Sequence, residues 1–216
     1  AFIYFTPQRE VPRCIKTLRG CGFPDANIEI IGVSAADSLY KQSPTNEERG
    51  YEIFRVPTFI FLEDGKEIAR INESPAVSLE RDIAAIMKKE EYAPNYRTFA
   101  LLRRWIQEGI LHDENTNGYG LATILKPLAQ KESELSSAAR VLYGQGKIRE
   151  AKTLYRINAI LFPQSSTAFS TLAAFYEREG DVSAAITAYL RALEIEPNEK
   201  RYSAKVTELH LLTEKR

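Results

Sequence analysis

Sulfur and imidazole are scarce in this chain: its 216 residues include two cysteines, one methionine and two histidines. So few cysteines exclude a disulfide framework. His112 and His210 lie far apart, so no His/Cys spacing fits a zinc site and no metal is expected. Net charge is missing too. Twenty-nine Lys and Arg balance 29 Asp and Glu, so nothing draws the chain onto phosphate backbones or anionic lipid, and nucleic acid is not expected as a partner. No apolar run approaches the ~18 residues of a membrane span. No Gly-rich phosphate loop appears, and no cofactor is expected. What is present is an ordinary globular balance of 44% hydrophobic, 10% aromatic and 27% charged residues, which excludes disordered and collagen-like chains. At ~150 residues per domain, the length slightly favours two domains.

The first half alternates strand and helix signals. Residues 1–5 are a short apolar run ending at Thr6-Pro7. A helical pattern follows from about Gln8 to Arg19, with Ile15 and Leu18 on one face and Pro12 tolerated in the first turns, and Gly20-Cys21-Gly22 stops it. Across a helix over residues 9–19, seven residues at ~1.5 Å each would hold Cys14 and Cys21 ~10 Å apart. They could bridge only if the helix broke first, a break that Gly20 and Gly22 are able to supply. Asn27–Val33 is β-branched and strand-like. Residues 35–50 are polar, with a short helix expected near Asn46–Ile53. Val56–Leu62 and Glu67–Ile71 flank Asp64-Gly65, the dipeptide of a tight hairpin turn. Ser74-Pro75 and Ser78 offer N-caps for a helix burying Leu79, Ile83 and Ile86. Asn72-Glu73-Ser74 matches a glycosylation sequon that is short enough to be chance.

This order, βαβ and then ββα, resembles the thioredoxin fold over roughly residues 1–90. The resemblance is carried by Gln8–Arg13, by Arg55-Val56-Pro57-Thr58 and by Gly65–Ile71, the last two looking especially like bacterial thioredoxin-like proteins. It implies a cis peptide before Pro57, with the backbone at Val56 available to pair with an extended peptide. It also implies a Cys-x-x-Cys at the head of the first helix, where the helix N-terminus lowers a thiol pKa. Counting back from Pro12 places those cysteine positions on Tyr4 and Pro7, so that Tyr4, Thr6 and Pro7 occupy a degenerate site. Cys14 lies beyond the first helical turn and reads as a small buried hydrophobe, and Cys21 as an exposed one without a mechanism. A start at Ala1 without Met or basic residues is expected of a mature or trimmed chain. Bacterial periplasm and cytoplasm both stay open.

The second half repeats itself. Gly146 and Gly180, Ala151 and Ala185, Tyr155 and Tyr189, and Pro163 and Pro197 are each 34 residues apart. This spacing, with Leu135, Ala138, Ala139 and Leu142 matched by Phe169, Leu172, Ala173 and Tyr176, resembles two tetratricopeptide repeats. Asn158 departs from the pattern where a small residue is usual. Residues 199–214 read as a capping helix with Val206, Leu209 and Leu212 inward. Tyr96–Ile110 and Gly120–Ala129 read as two more helices, and His112-Asp113-Glu114 as a solvated turn. The fold expected is therefore an α/β thioredoxin-like sandwich over residues 1–91, a helical linker over 92–131, and an all-α tetratricopeptide-repeat domain over 132–216.

The groove implied by the repeats presents Ser133, Ser136, Arg140 and Tyr143 from the first copy, and Thr167, Ser170, Ala174, Glu177 and Arg178 from the second. Ser136 and Arg140 stand where carboxylate-gripping repeats place Lys and Asn. The groove can take an extended peptide or a helix, or be filled by the chain's own cap. The expected function is a redox-inactive, non-catalytic interaction or chaperone-like module with protein or peptide partners. The alternative is a thiol-disulfide oxidoreductase with an atypical or truncated active site.

Overall fold

The computed structural model describes residues 2–5, 9–34, 36, 40–113 and 116–214, with backbone alone for 2–5 and 214. Contacts divide the chain into one unit over residues 1–103 and a second over 104–216. The first holds a small sheet with helices and the second is helical. Among the described residues no helix is long and apolar enough to cross a membrane.

In the first unit the strands are β1 (Phe2–Phe5), β2 (Glu29–Gly32), β3 (Thr58–Glu63) and β4 (Lys66–Asn72), in the order β2-β1-β3-β4. β1 pairs parallel with β2 and antiparallel with β3. β3 and β4 form the hairpin, with a register shift between Phe61 and Leu62. Its turn is closed by Asp64 at φ 50° and Gly65 at φ 74°, the pair of positive values that a two-residue turn needs to match the twist of its strands.

Period-two alternation sorts the side chains by face. Phe59, Phe61 and Ile71 turn to one side, where they cluster with Val11, Cys14 and Leu18 of α1 (Glu10–Gly20) and Leu79, Ile83 and Ile86 of α2 (Leu79–Met87). Ile60 turns to the other side and meets Ile31 and Ile53, with Val56 and Leu62 against them. The Ser78 hydroxyl caps α2 by accepting from Arg81 N. Asn72, the sequon asparagine, is buried.

The short helix expected near Asn46–Ile53 does not form. The segment runs through turns, with left-handed backbone at Asn46, Gly50 and Glu52. Side chains take over the bonding that a helix would supply. Glu48, nearly fully buried, accepts from Ser43 N at 3.0 Å, and Lys41 reaches across to the Phe54 carbonyl. Arg70 donates to Tyr51 O at 2.8 Å and to both oxygens of Glu67, at 2.7 and 2.6 Å, and Arg103 adds a 2.8 Å bond to the same carboxylate. Burial pushes the Glu67 carboxyl up, but the two guanidiniums outweigh it and hold the group below its ordinary value.

The second unit is a run of antiparallel helices. α3 (Thr98–Gln107) spans the division and is followed by α4 (Gly118–Leu125). Next come α5 (Glu132–Gly144), α6 (Ile148–Leu161), α7 (Ser166–Arg178), α8 (Val182–Ile195) and α9 (Lys200–Glu214). Helix starts at Glu132, Ser166 and Lys200 are 34 residues apart. The hairpins α5–α6 and α7–α8 pack internally, α6 packs on α7 and α8 on α9, while α4 lies against α6.

Small residues allow this close approach: Ala138, Ala139, Ala151, Ala173, Ala185 and Ala192 are fully buried. Each hairpin turn uses a glycine at positive φ, Gly146 at 77° and Gly180 at 75°. Both are followed by the wide-ring bond of a left-handed helix cap, Lys147 N to Leu142 O and Asp181 N to Tyr176 O. Glu134, buried at the head of α5, accepts from Gln130 N and Lys131 N at 3.0 Å each. One inward expectation fails. Leu209 of α9 is buried but Leu212 is half-exposed. Its counterpart one repeat earlier is Arg178, also exposed, so the packing face has rotated away by that turn.

Asn158 sits in α6 at 1% exposure, and neither its Oδ1 nor its Nδ2 has a hydrogen-bond partner. The second copy has Ala192 there. Asn158→Ala removes an unpaired buried amide and should stabilise the protein by about 1–3 kcal/mol, read by urea melts. Glu67→Gln should destabilise by about 1.5–3 kcal/mol near neutrality. The folded carboxyl titrates below the ordinary 4.5, so its contribution is complete above that value and drains away as pH falls through the folded pKa. The gap between wild type and variant should therefore close in acid melts.

Candidate functional site

Three places bear on function. The first is the start of β3. The Val56–Pro57 peptide is cis. Pro57 is buried and Val56 half-buried. The Pro57 carbonyl accepts from Glu73 N at 2.7 Å, and the Thr58 hydroxyl donates to Arg55 O at 2.6 Å. Arg55 lies 3.4 Å from Glu73 Oε1 and 5.2 Å from the Tyr96 ring centroid. Tyr4 is a strand residue, in register with Thr58 on one side and Ile31 on the other. Thr6 and Pro7 lie outside the described residues.

The second is the thiol pair. α1 runs unbroken through Cys14, and both cysteines are free. Cys14 faces the core at 1% exposure among Val11, Leu18 and Phe59. Burial pushes its thiol up to about 12, because a thiolate there would lose its water. Cys21 is exposed just past the C-terminal end of the same helix, far from the N-terminal end at which the resemblance puts the thiol pair. Neither thiol has the setting of a nucleophile.

The third is the row along α5 and α7. Ser133, Ser136 and Tyr143 are half-buried and Arg140 is exposed; on α7, Ser170 and Glu177 are half-buried, Thr167 and Arg178 exposed. The hydroxyls of Ser136 and Ser170 turn back to Glu132 O and Thr167 O. Tyr143 joins the two helix ends: its hydroxyl donates to Glu179 at 2.9 Å, and the Arg178 guanidinium lies 5.8 Å from its ring centroid. Glu177 is held from outside α7, accepting from Tyr189 at 3.2 Å and from Lys205 of α9 at 2.8 Å. The capping helix thus engages the row at Glu177, while Ser136 and Tyr143 are half-buried and Arg140 is exposed. Sequence reading missed Lys205 and Tyr202. Tyr202 is buried with its ring 6.3 Å from that of Tyr189. Extending the 34-residue period one step would have found it, since Glu134 and Ala168 at the same position are buried too.

No protein-family model matches the chain, and no curated protein is recognisably similar to it in sequence.

Thiol accessibility follows from the burial. A disulfide-exchange reagent at pH 8 should titrate one thiol rapidly in the native protein. The second should appear only on unfolding, and Cys21→Ser should abolish the fast phase.

Proposed function

We propose that the chain is a non-catalytic protein-interaction module of the chaperone-like kind. In this reading a thioredoxin-like α/β unit lacks its thiol pair and is followed by tetratricopeptide-type hairpins that take protein or peptide partners. The observation that carries it is the 34-residue recurrence of helix starts at Glu132, Ser166 and Lys200. Such a stack sets its first helices side by side and turns their unburied faces into one continuous surface. The order of strands and helices in the first unit agrees with the thioredoxin resemblance, and the burial of Cys14 in its core supports a scaffold over a redox enzyme.

Two assays run together test this. Light scattering by a heat-unfolded client should fall at near-stoichiometric protein, and insulin reduction should not exceed that with dithiothreitol alone. Arg140→Glu with Tyr143→Ala should weaken client protection severalfold without moving the melting temperature by more than a few degrees. Insulin turnover that depends on Cys14 or Cys21 would refute the reading, as would full scattering in the presence of the protein.

A further inference from the structure

Beside α6, the second unit contains a hollow of about 540 Å³. Three cations line it from one helix: Arg149, Lys152 and Arg156. At spacings of three and four residues they occupy successive turns of one face and spread over ~10 Å of helix. Tyr176 of α7 and His112 of the α3–α4 connection complete the wall, and Lys152 Nζ stands 5.9 Å from the Tyr176 ring centroid. The segment expected to be a solvated turn is thus anchored here: His112 meets Glu150 at 3.2 Å and Arg149 at 3.4 Å, and Thr153 donates to Leu111 O at 3.0 Å.

The repeat supplies an internal control. One copy later, the positions of Arg149, Lys152 and Arg156 carry Ser183, Ile186 and Leu190, in a helix of the same length that pairs with α7 as α6 pairs with α5 but has no counterpart of α4 beside it. The fold therefore does not require cations there. Like charges on adjacent turns repel, so their accumulation around a cavity needs another account. Asp113, Glu179 and Asp181 line the hollow as well; Glu179 accepts from Tyr143, Asp181 caps α8 through Ala184 N, and Glu150 meets His112. Lys152 and Arg156 are in no ion pair among the described residues.

We propose that this hollow binds an acidic peptide segment in extended form. Alternate side chains of an extended chain project about 6.6 Å apart on one side, a spacing that lets two carboxylates reach cations on different turns of α6 while the intervening backbone passes Tyr176. A compact single anion would leave part of the ~10 Å row unused. The proposal deepens the interaction-module reading by giving one partner segment a charge and a place.

The test uses the full chain and a fluorescein-labelled decapeptide of alternating Glu and Ser, followed by anisotropy at low and physiological salt. Lys152→Gln with Arg156→Gln should weaken binding at least tenfold and flatten its salt dependence. Arg156→Leu, the residue of the second copy, should weaken it severalfold with the fold intact by thermal melt. The charge-matched control Lys200→Gln with Arg201→Gln, on α9, should stay within twofold of wild type. Equal binding by wild type and the α6 variants would overturn the proposal, as would absence of binding at millimolar peptide. Preference for a single-stranded oligonucleotide of equal charge, lost in the same variants, would overturn it in favour of a nucleic-acid occupant. Client protection by a wild-type chain that does not bind the peptide would leave the broader reading standing and remove only this one.

Discussion

A helical hairpin closed by a short turn can bury only the faces its two helices turn towards each other. The remaining apolar stripe must find a neighbour, and this requirement organises the second unit. Ala138, Ala139, Ala151, Ala173, Ala185 and Ala192, all without measurable exposure, let neighbouring axes approach. Larger side chains such as Leu135, Leu154 and Phe175 then fill the space beside them. The stack must also end. α4 lies against α6 at one side and α9 against α8 at the other, and α9 meets solvent with Leu211 and Leu212 half-exposed. Whatever these contacts do not consume is left on the surface as a row or a hollow, and there the chain has freedom to vary.

The first unit answers the same constraint with a sheet. Both faces of β3 are covered, by α1 and α2 on one side and by the irregular segment around Ile53 on the other. Covering a sheet face with irregular chain exposes that chain's own polar groups to burial, so each must be bonded. Glu48, Lys41, Arg70 and Glu67 meet this need, which explains why so many charges are interior in this unit. Cys14 belongs to the same economy of volume: its sulfur fills a core position between Val11 and Leu18, and burial keeps the proton on it.

Legibility in sequence followed whether a residue's role is local. Asp64-Gly65, Ser78 and the glycines at 146 and 180 were readable because each satisfies a backbone demand within a few residues of itself. The alanines of the hairpins were readable because the demand recurs after 34 residues. Residues 40–55 were not. Their conformation is set by partners far along the chain, such as Arg70 on the Tyr51 carbonyl, and no periodicity announces such a bond. Leu212 misled for a related reason: spacing of three residues drifts around a helix, and after two steps the side chain has left the buried face. Of the candidate residues, the row on α5 and α7 was readable from the period, whereas Lys205 came from a helix read only as a cap.

The hollow beside α6 was illegible because its walls come from segments spread along the chain from His112 to Asp181. No window of sequence contains it. Yet part of its meaning lay in the repeat all along. Two copies built on one plan share the residues that packing requires and are free to differ elsewhere. Ala151 and Ala185 agree because a helix must pass close to each. Lys152 and Ile186, the very next positions, disagree because packing tolerates either. Differences between copies therefore mark the surface on which selection for something other than folding can act. The largest change in charge between the two second helices falls on the three positions that face a cavity, Arg149, Lys152 and Arg156. Charge also differs at Glu150 and Ala184, at Ile157 and Arg191, and at Ile160 and Glu194, but the three cations that the second copy lacks all line one concavity and stand on the helix face beside one aromatic ring.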